Sequence, residues 1–229
     1  MGRGWLRELG RLGTRVELFD RGRHEIAPGA LHIPGWLSSD EQRALLNDCA
    51  RWAKPPGLRA IKVRNGVMSV KTMCLGWHWL PYRYSRVAED VDGAPVPPMP
   101  TSLVALGRRA VADAYGPSAN AFEPDAALIN FYDVRAHMGM HQDKDEKGDA
   151  PVVSLSLGNR AIFRFGNATN RNRPYTDIEL VSGDLFVFGG RSRFAFHGIT
   201  KTLPGTADPA LGIDDVRWNI TLRQTGLTP

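Results

Sequence analysis

The chain has 229 residues, of which 42% are hydrophobic and 23% are charged, and its 29 Lys and Arg against 24 Asp and Glu give a formal net charge of +5. This composition excludes a mostly disordered chain, a collagen-like repeat and a small disulfide-rich scaffold. No segment reaches the roughly 18 apolar residues that cross a bilayer, and two cysteines, Cys49 and Cys74, cannot form a disulfide framework. We therefore expect a cytoplasmic protein with no membrane contact, and its moderately basic charge is compatible with a polyanionic partner.

The first half of the chain contains helical patterns. Four arginines at intervals of four residues would share one face of an N-terminal helix: Arg3, Arg7, Arg11 and Arg15. A helix is predicted over about 38–52, because Ser38 and Glu41 match a capping box ahead of apolar residues at helical spacing. Cys49 lies on the apolar face of that helix, which indicates a core position. A second helix is predicted over about 101–115, between proline-rich and Gly-Pro segments.

The second half of the chain changes to short apolar runs separated by Gly, Pro and Asn. Strands are predicted near 126–133, 151–157, 161–166, 178–181, 184–188, 195–199 and 216–224. Because the helices precede the strands, the pattern disfavours a doubly wound parallel sheet and favours an antiparallel sandwich or jelly roll. We expect a mainly β (α+β) single domain over 1–229, with an N-terminal extension over about 1–125 and a jelly-roll core over about 126–226.

Three histidines and one aspartate are candidate metal ligands. His141 and Asp143 are separated by one residue, so in an extended chain both side chains point to the same side. An imidazole and a carboxylate that converge in this way begin a 2-His-1-carboxylate site, which suits Fe(II) and leaves coordination positions open. His197 is the best candidate for the third ligand. His137 stays an alternative, since it shares the same side of an extended chain and in a helix would form half a zinc site with His141.

A strand near the C-terminus concentrates cationic and polar side chains. Its polar side comprises Arg217, Asn219, Thr221 and Arg223, and the strand near 126–133 adds Asn130 and Tyr132. One interpretation is an amphipathic strand whose polar side meets water. The other is a cavity wall, on which two arginines bind the two ends of a small dicarboxylate through charge-assisted hydrogen bonds.

Six segments follow one another in a specific order and spacing. They are Asn130-Phe131-Tyr132, His141-Gln142-Asp143-Lys144-Asp145-Glu146, the stretches 151–158 and 183–190, His197-Gly198-Ile199 and the stretch 217–223. This set resembles the AlkB family of DNA-repair dioxygenases, and the resemblance covers roughly residues 17–226. It is closest to the bacterial members.

The resemblance implies a fold, a cofactor and a co-substrate. The fold would be a double-stranded β-helix, with an N-terminal extension that forms a nucleotide-recognition lid. Fe(II) would be bound by His141, Asp143 and His197. The co-substrate 2-oxoglutarate would be bound by Asn130, Tyr132, Arg217, Asn219, Thr221 and Arg223, with Arg217 at the far carboxylate and Arg223 at the carboxylate next to the metal.

The resemblance also implies substrate contacts, at Trp77, Tyr82, Arg83, Tyr84, Asp145 and Arg171. Trp77, in Leu75-Gly76-Trp77, would stack on a flipped damaged base opposite His141. Residues 82–84 would touch the nucleotide backbone, Asp145 would lie beside the exocyclic amine of the base, and Arg171 would be a lid arginine near the base. The segment 68–74 is shorter than the family pattern, which affects the shape of the lid.

The implied activity is oxidative demethylation of N-alkylated bases such as 1-methyladenine and 3-methylcytosine. It uses Fe(II), O₂ and 2-oxoglutarate and releases formaldehyde, succinate and CO₂. The expected partner is alkylated single- or double-stranded DNA, with RNA left open, and the expected state is a monomer. The alternatives are a 2-oxoglutarate dioxygenase that acts on RNA, protein or a small molecule, and a non-catalytic jelly-roll binding module.

Overall fold

Two α-helices, two short 3-10 helices and fourteen strands make up the regular structure of the residues described in this computed structural model, which are 21–54, 57–63, 66–117, 121–213 and 215–228. Helix α1 spans Ser39–Trp52 and helix α2 spans Thr101–Tyr115. The strands are β1 His24–Ala27, β2 Ala30–Ile33, β3 Arg59–Val63, β4 Gly66–Leu75, β5 His78–Leu80, β6 Arg83–Ser85, β7 Ala126–Tyr132, β8 Met138–His141, β9 Val152–Gly158, β10 Arg160–Phe165, β11 Thr176–Leu180, β12 Leu185–Phe188, β13 His197–Leu203 and β14 Arg217–Arg223. The N-terminal arginine repeat lies outside the described residues.

The last eight strands form a jelly roll. The large sheet has the order β1-β2-β12-β9-β14-β7-β4-β3, and the small sheet has the order β11-β10-β13-β8. The strands from β7 to β14 are therefore divided four and four between two antiparallel sheets. This arrangement confirms the predicted double-stranded β-helix.

Strands from the first half of the chain extend the large sheet at both edges. On one side β2 pairs with β12, and on the other side β4 pairs with β7. A separate two-stranded sheet is formed by β5 and β6. These six N-terminal strands were not predicted from the sequence, because their short runs show no sustained alternation of apolar and polar residues. β2 and β4 pair with jelly-roll strands, β1 and β3 pair with β2 and β4, and β5 and β6 pair with each other.

Two hydrophobic layers hold this architecture together. The first packs both helices against the large sheet and includes Cys49, as the sequence predicted, together with Trp218 and Ile220 of β14. The second lies between the two sheets and contains an aromatic cluster that includes Phe163 and Phe186, whose rings are 4.9 Å apart. The outer face of β14 is thus buried under the helices, and its other face points between the sheets.

Helix α1 begins where the sequence placed it. The Ser38 hydroxyl accepts a hydrogen bond from the Glu41 backbone N–H, and the Glu41 carboxylate accepts one from the Ser38 backbone N–H. These reciprocal bonds are the predicted capping box. None of the helices in the described part of the chain has the length and apolar character required to cross a membrane.

Asp184 joins the N-terminal extension to the jelly roll. Its fully buried carboxylate accepts hydrogen bonds from the His32 ring, from the backbone N–H groups of Gly35 and Val181, and from the Arg21 guanidinium. Burial alone would raise the pKa of Asp184, but these donors hold it below its usual value. The Gly-Asp turn before β12 therefore serves as a structural anchor.

We expect Asp184→Asn to destabilise the protein by about 1–3 kcal/mol, because the amide cannot accept from all the buried donors that the carboxylate satisfies. Urea unfolding would measure the change. The matched control is Asp177→Asn, which removes a half-exposed carboxylate paired with Arg164 and should cost no more than about 0.5 kcal/mol. Equal effects of the two substitutions would contradict the anchoring role of Asp184.

Candidate metal centre and substrate cavity

Two histidines from distant parts of the chain meet across neighbouring strands. β8 and β13 are adjacent in the small sheet, and their antiparallel register pairs His141 with His197. The centroids of the two imidazole rings are 4.5 Å apart. Asp143 follows shortly after β8, and its carboxylate is buried beside both rings. Strand pairing therefore brings together the three side chains that the sequence indicated as metal ligands.

The ligand atoms of these side chains surround one point. Nε2 of His141 lies 3.5 Å from Oδ1 of Asp143, and Nε2 of His197 lies 3.7 Å from Oδ2 of Asp143. All three ligand atoms lie within 4.8 Å of one another, and across the described ranges this is the one such group of His, Cys, Asp or Glu that could hold a metal ion. His137, the alternative ligand, is exposed, and its backbone is hydrogen-bonded to the Ser69 hydroxyl.

Backbone carbonyl groups orient both imidazoles. Nδ1 of His141 lies 2.9 Å from the carbonyl oxygen of Gly139, and Nδ1 of His197 lies 2.9 Å from that of Ala195. A neutral imidazole that donates its Nδ1–H to a carbonyl group has its lone pair on Nε2. Both Nε2 atoms are therefore oriented as metal ligands, in the manner typical of histidines held by an outer hydrogen bond.

The charge states also suit a metal ion. Burial, supported by the nearby His141, lowers the pKa of His197 to about 4, so this imidazole is neutral at neutral pH. Burial alone would raise the pKa of Asp143, but the Arg223 guanidinium and the adjacent imidazoles hold it well below its usual range. The carboxylate is therefore ionised. Two histidines and one carboxylate form the donor set that binds Fe(II) and leaves open positions for further ligands.

A cavity of about 410 Å³ opens in front of the metal-ligand group. The polar residues that line it include Asn130, Tyr132, Arg217, Asn219, Thr221 and Arg223. The whole of β14 is buried, so its polar side does not meet water. Of the two interpretations of this strand, the structure supports the cavity wall.

Two arginines carry buried nitrogen atoms that lack a protein partner. In the described part of the chain, Nε and Nη1 of Arg217 and Nε of Arg223 have no hydrogen-bond acceptor, although Nη2 of Arg217 donates to Ser156 Oγ at 3.2 Å. Burial lowers the pKa of Arg217, and the nearby Tyr132 opposes that effect. Buried donors without partners are costly, and an anionic ligand in the cavity would satisfy them.

A chain of buried charges holds Arg223 beside the metal ligands. Its Nη2 contacts Oδ1 of Asp143 at 2.6 Å, and its Nη1 contacts the Glu146 carboxylate at 3.1 Å and the Tyr84 hydroxyl at 3.0 Å. The other oxygen of Glu146 accepts from Arg193 at 2.9 Å, and Arg193 also donates to the Asp143 carbonyl. Glu146 and Arg193 were not predicted as site residues. Glu146 ends the quoted segment 141–146, whereas Arg193 lies outside the quoted segments, and no spacing marks the role of either residue.

The remaining polar residues form a second network on the cavity wall. The Asn130 amide donates to Asn219 Oδ1 at 3.2 Å, Thr221 donates to the same oxygen at 2.9 Å, and Thr72 donates to Asn130 Oδ1. These bonds fix the amide groups in one orientation. Burial raises the pKa of Tyr132 to about 12, so its phenol stays protonated and can donate to an anion.

The residues expected to contact a substrate divide into two sets. Tyr82, Asp145 and Arg171 line the cavity, and the structure adds Trp79, which the sequence analysis did not assign. Arg171 is held over the entrance by a 2.8 Å hydrogen bond from its Nε to the Met140 carbonyl. The other set, Trp77, Arg83 and Tyr84, does not line the cavity.

Trp77 is the main correction to the expected substrate site. Its side chain is 5% exposed, its indole N–H donates to Asp125, and the Arg86 guanidinium lies 3.6 Å from its ring centroid. The chain turns at Gly76, which directly follows the end of β4 and has a φ of 78°. This turn directs Trp77 away from the cavity, so the expectation that it stacks on a base is wrong in this structure.

Arg83 stays a prediction, whereas Tyr84 differs from expectation. Arg83 is exposed and forms an ion pair with Glu89, 2.8 Å between Nη1 and Oε1. The Tyr84 hydroxyl donates to Glu146 at 2.5 Å, and burial raises the pKa of this phenol well above its usual value. Tyr84 therefore supports the buried charges behind Arg223, and contact with a nucleotide backbone is not available to it here.

Comparison with known proteins identifies the class to which this fold and site belong. The protein-family model of the 2OG-Fe(II) oxygenase superfamily matches residues 29–223. The chain is thus a 2-oxoglutarate-dependent Fe(II) dioxygenase, with Fe(II) as cofactor and 2-oxoglutarate as co-substrate, and its jelly roll and His-Asp-His group fit this class.

Similar sequences identify the family within this superfamily. The α-ketoglutarate-dependent dioxygenase AlkB of Escherichia coli K12 is 40% identical over 187 residues, which cover 79% of this chain and 82% of the relative. AlkB of Salmonella typhimurium is 37% identical over 206 residues, 87% of this chain and 91% of the relative. The chain belongs to the AlkB family within the 2OG-Fe(II) oxygenase superfamily.

Plant relatives are also similar. The DNA N(6)-methyladenine demethylase ALKBH1C of Arabidopsis thaliana is 32% identical over 228 residues, but this chain spans about half of its length, 49%. The solved structure of OsALKBH1 has a TM-score of 0.79 and 30% identity, and the match covers 88% of this chain and 100% of that chain. The overall arrangement of strands is thus shared with a structure of another AlkB homologue.

We expect Arg217→Met to weaken 2-oxoglutarate binding about 10- to 100-fold, because it removes hydrogen bonds to a charged group worth about 1.5–3 kcal/mol while keeping most of the side-chain volume. Anaerobic calorimetric titration of the Mn(II)-loaded protein would measure this. Arg135→Met, at an exposed arginine outside the cavity, is the control and should bind as the wild type does. Unchanged affinity in Arg217→Met would show that this guanidinium does not face the co-substrate.

Proposed function

We propose that this protein removes methyl groups from N-methylated bases of DNA by oxidative demethylation, at 1-methyladenine and 3-methylcytosine in particular. The observation that carries the proposal is a ferrous-ion ligand group that faces a cavity with two buried, incompletely paired arginines. Membership in the AlkB family supports the substrate class. The names of the Arabidopsis relatives support DNA as the polymer.

The metal and its co-substrate would be held by separate sets of side chains. His141, Asp143 and His197 would bind Fe(II), which with 2-oxoglutarate and O₂ supplies the oxidising chemistry that hydroxylates the N-methyl group. Arg217 would bind the far carboxylate of 2-oxoglutarate, and Arg223 would neutralise the carboxylate nearest the metal. The co-substrate leaves as succinate and CO₂, and the hydroxylated methyl group leaves the base as formaldehyde.

The wall of the cavity would orient the co-substrate. Tyr132 keeps its phenolic proton and would donate it in a hydrogen bond to a carboxylate. Asn130, Asn219 and Thr221 form a connected network beside it, so their polar atoms are fixed before a ligand arrives. Preorganised donors of this kind do not need to reorganise during the reaction.

A base must leave the DNA stack to enter this cavity. Methylation at the pairing edge weakens base pairing, which lowers the cost of extrusion for the damaged base. Tyr82 is 71% exposed at the entrance, where an aromatic ring can stack on nucleobases. Asp145 lines the interior and offers an acceptor for an exocyclic amine, and Arg171 offers a cation at the rim.

The same proposal includes the cellular compartment, the domain organisation and the oligomeric state of the protein. Cys49 and Cys74 are both free and buried, which is compatible with the reducing cytoplasm. Residues 1–229 would form one domain, since strands on both sides of the large sheet come from the N-terminal half. We propose that it acts as a monomer on single- or double-stranded DNA, and RNA, protein or small-molecule substrates are the alternatives that the assay below distinguishes.

A second candidate substrate is N6-methyladenine. The Arabidopsis relatives carry that activity in their names, and the OsALKBH1 structure matches this chain over 88% of its length. The methyl group would then sit on the exocyclic amine and not on the ring nitrogen. The same metal ligands and the same co-substrate contacts would serve this reaction. The two candidate functions are therefore distinguished only by which methylated base the protein demethylates.

We expect formaldehyde release from DNA oligonucleotides that contain 1-methyladenine or 3-methylcytosine, coupled to succinate formation. Oligonucleotides with N6-methyladenine, and the same lesions in RNA, form the comparison set. His141→Ala should abolish release because it removes a metal ligand. His137→Ala, at the exposed histidine four residues earlier, should retain it.

The proposal fails if no methylated oligonucleotide yields formaldehyde while Fe(II) and 2-oxoglutarate still bind. Release from N6-methyladenine alone would support the second candidate. Stimulation of 2-oxoglutarate turnover by a peptide or a small molecule, but by no nucleic acid, would support the alternative substrates.

A further inference from the structure

A small hairpin projects over the cavity. It is formed by β5 and β6, which pair with each other and lie outside the two large sheets. Trp79, Pro81 and Tyr82 of this hairpin all line the cavity. The hairpin therefore places an indole and a phenol ring on the same wall as Asp145.

The backbone of Trp79 is fixed from behind the cavity. Its N–H donates to the Cys74 thiol at 3.4 Å, and its carbonyl oxygen accepts from Nη2 of Arg59 at 2.5 Å. The Arg59 side chain is 8% exposed, and its Nε donates to Asp90 at 2.9 Å. Asp90 also accepts from the buried His78 ring. Contacts on both backbone groups hold the indole in one position.

The indole N–H of Trp79 is directed at a carboxylate. Nε1 donates to Oδ2 of Asp145 at 2.8 Å. Among the residues that the structure describes, Oδ1 of Asp145 receives no comparable donor. One oxygen is thereby held in place, which leaves Oδ1 as the acceptor that this cavity-lining carboxylate can offer to a ligand. An ionised carboxylate is an acceptor only, so this wall can receive N–H groups but cannot donate to a carbonyl oxygen.

We propose that Trp79, through its indole N–H to Asp145, determines the selectivity of the cavity for bases with an exocyclic amine on the major-groove side of the methylated ring nitrogen. The inference rests on the proposed function. On the major-groove side of the methylated ring nitrogen, adenine and cytosine carry an amino group, whereas guanine and thymine carry a carbonyl oxygen. A carbonyl oxygen placed against the fixed Asp145 oxygen leaves two acceptors facing each other without a donor, which disfavours binding.

The decisive variant is Trp79→Phe, which keeps an aromatic ring and removes the N–H. The assay compares matched oligonucleotides, 1-methyladenine against 1-methylguanine and 3-methylcytosine against 3-methylthymine. Two quantities are measured for each: kcat/KM for formaldehyde release, and the dissociation constant under anaerobic conditions with Mn(II) and 2-oxoglutarate. The wild type should prefer 1-methyladenine and 3-methylcytosine over their partners, and Trp79→Phe should reduce that preference about tenfold, the effect of one hydrogen bond to a charged group.

A second variant and a matched control isolate the cause. Asp145→Asn keeps the Trp79 contact through its amide oxygen and turns its NH₂ toward the cavity, so it should shift preference toward the carbonyl-bearing bases. Trp77→Phe removes an indole N–H that is bonded to Asp125 outside the cavity, and it should leave the preference unchanged. Thermal unfolding of each variant checks that it is folded.

The outcomes separate the two proposals. An unchanged preference in Trp79→Phe, or an equal loss for both bases of each pair, would overturn the role of Trp79. So would a loss of preference in Trp77→Phe. If no oligonucleotide is demethylated but amine-bearing bases still bind preferentially through Trp79, the selectivity stands and the proposed reaction fails.

Discussion

The pairing of β8 with β13 is the constraint on which the site depends. Its register sets His141 opposite His197, and the chain that leaves β8 brings in Asp143. A shift of the register by one residue would turn one histidine to the other face of the small sheet. Carbonyl groups of the same two segments orient both rings. The geometry of the metal centre therefore depends on the register of these two strands. The jelly roll fixes that register through the aromatic layer between its sheets.

Charge balance is the second feature that the fold must maintain. Asp143 and Glu146 are carboxylates, Arg223 and Arg193 are guanidinium groups, and all four are largely or fully buried. Buried charges are tolerated when they are paired and hydrogen-bonded, and removing one partner leaves an uncompensated charge. Arg217 has two buried nitrogen atoms without a protein partner in the described part of the chain, against one in Arg223. The charges beside the metal ligands thus balance one another, while Arg217 is an incompletely paired cation elsewhere on the cavity wall. A dicarboxylate that extends from the metal ligands to Arg217 would match this arrangement.

Much of this arrangement could be predicted from the sequence, for identifiable reasons. The spacing of His141 and Asp143 and the alternation along β14 are local patterns, and both gave the correct geometry. Whether the polar side of β14 met water or a cavity depends on the packing of a second sheet, which no local pattern contains. β8 was missed because its Met-Gly-Met sequence has no alternation. Trp77 was misplaced because the turn at Gly76 directs it toward Asp125 and leaves Trp79 at the cavity.

The most direct test of the account is an anaerobic titration of the metal-free protein with Fe(II) and 2-oxoglutarate, followed by visible absorption. Chelation of the keto acid at a ferrous ion bound by two imidazoles and one carboxylate gives a weak charge-transfer band. We predict that the band saturates at one Fe(II) per chain and is lost in His197→Ala, whose imidazole reaches the site only through strand pairing. A band of full intensity in that variant, or no band in the wild type, would contradict the central claim.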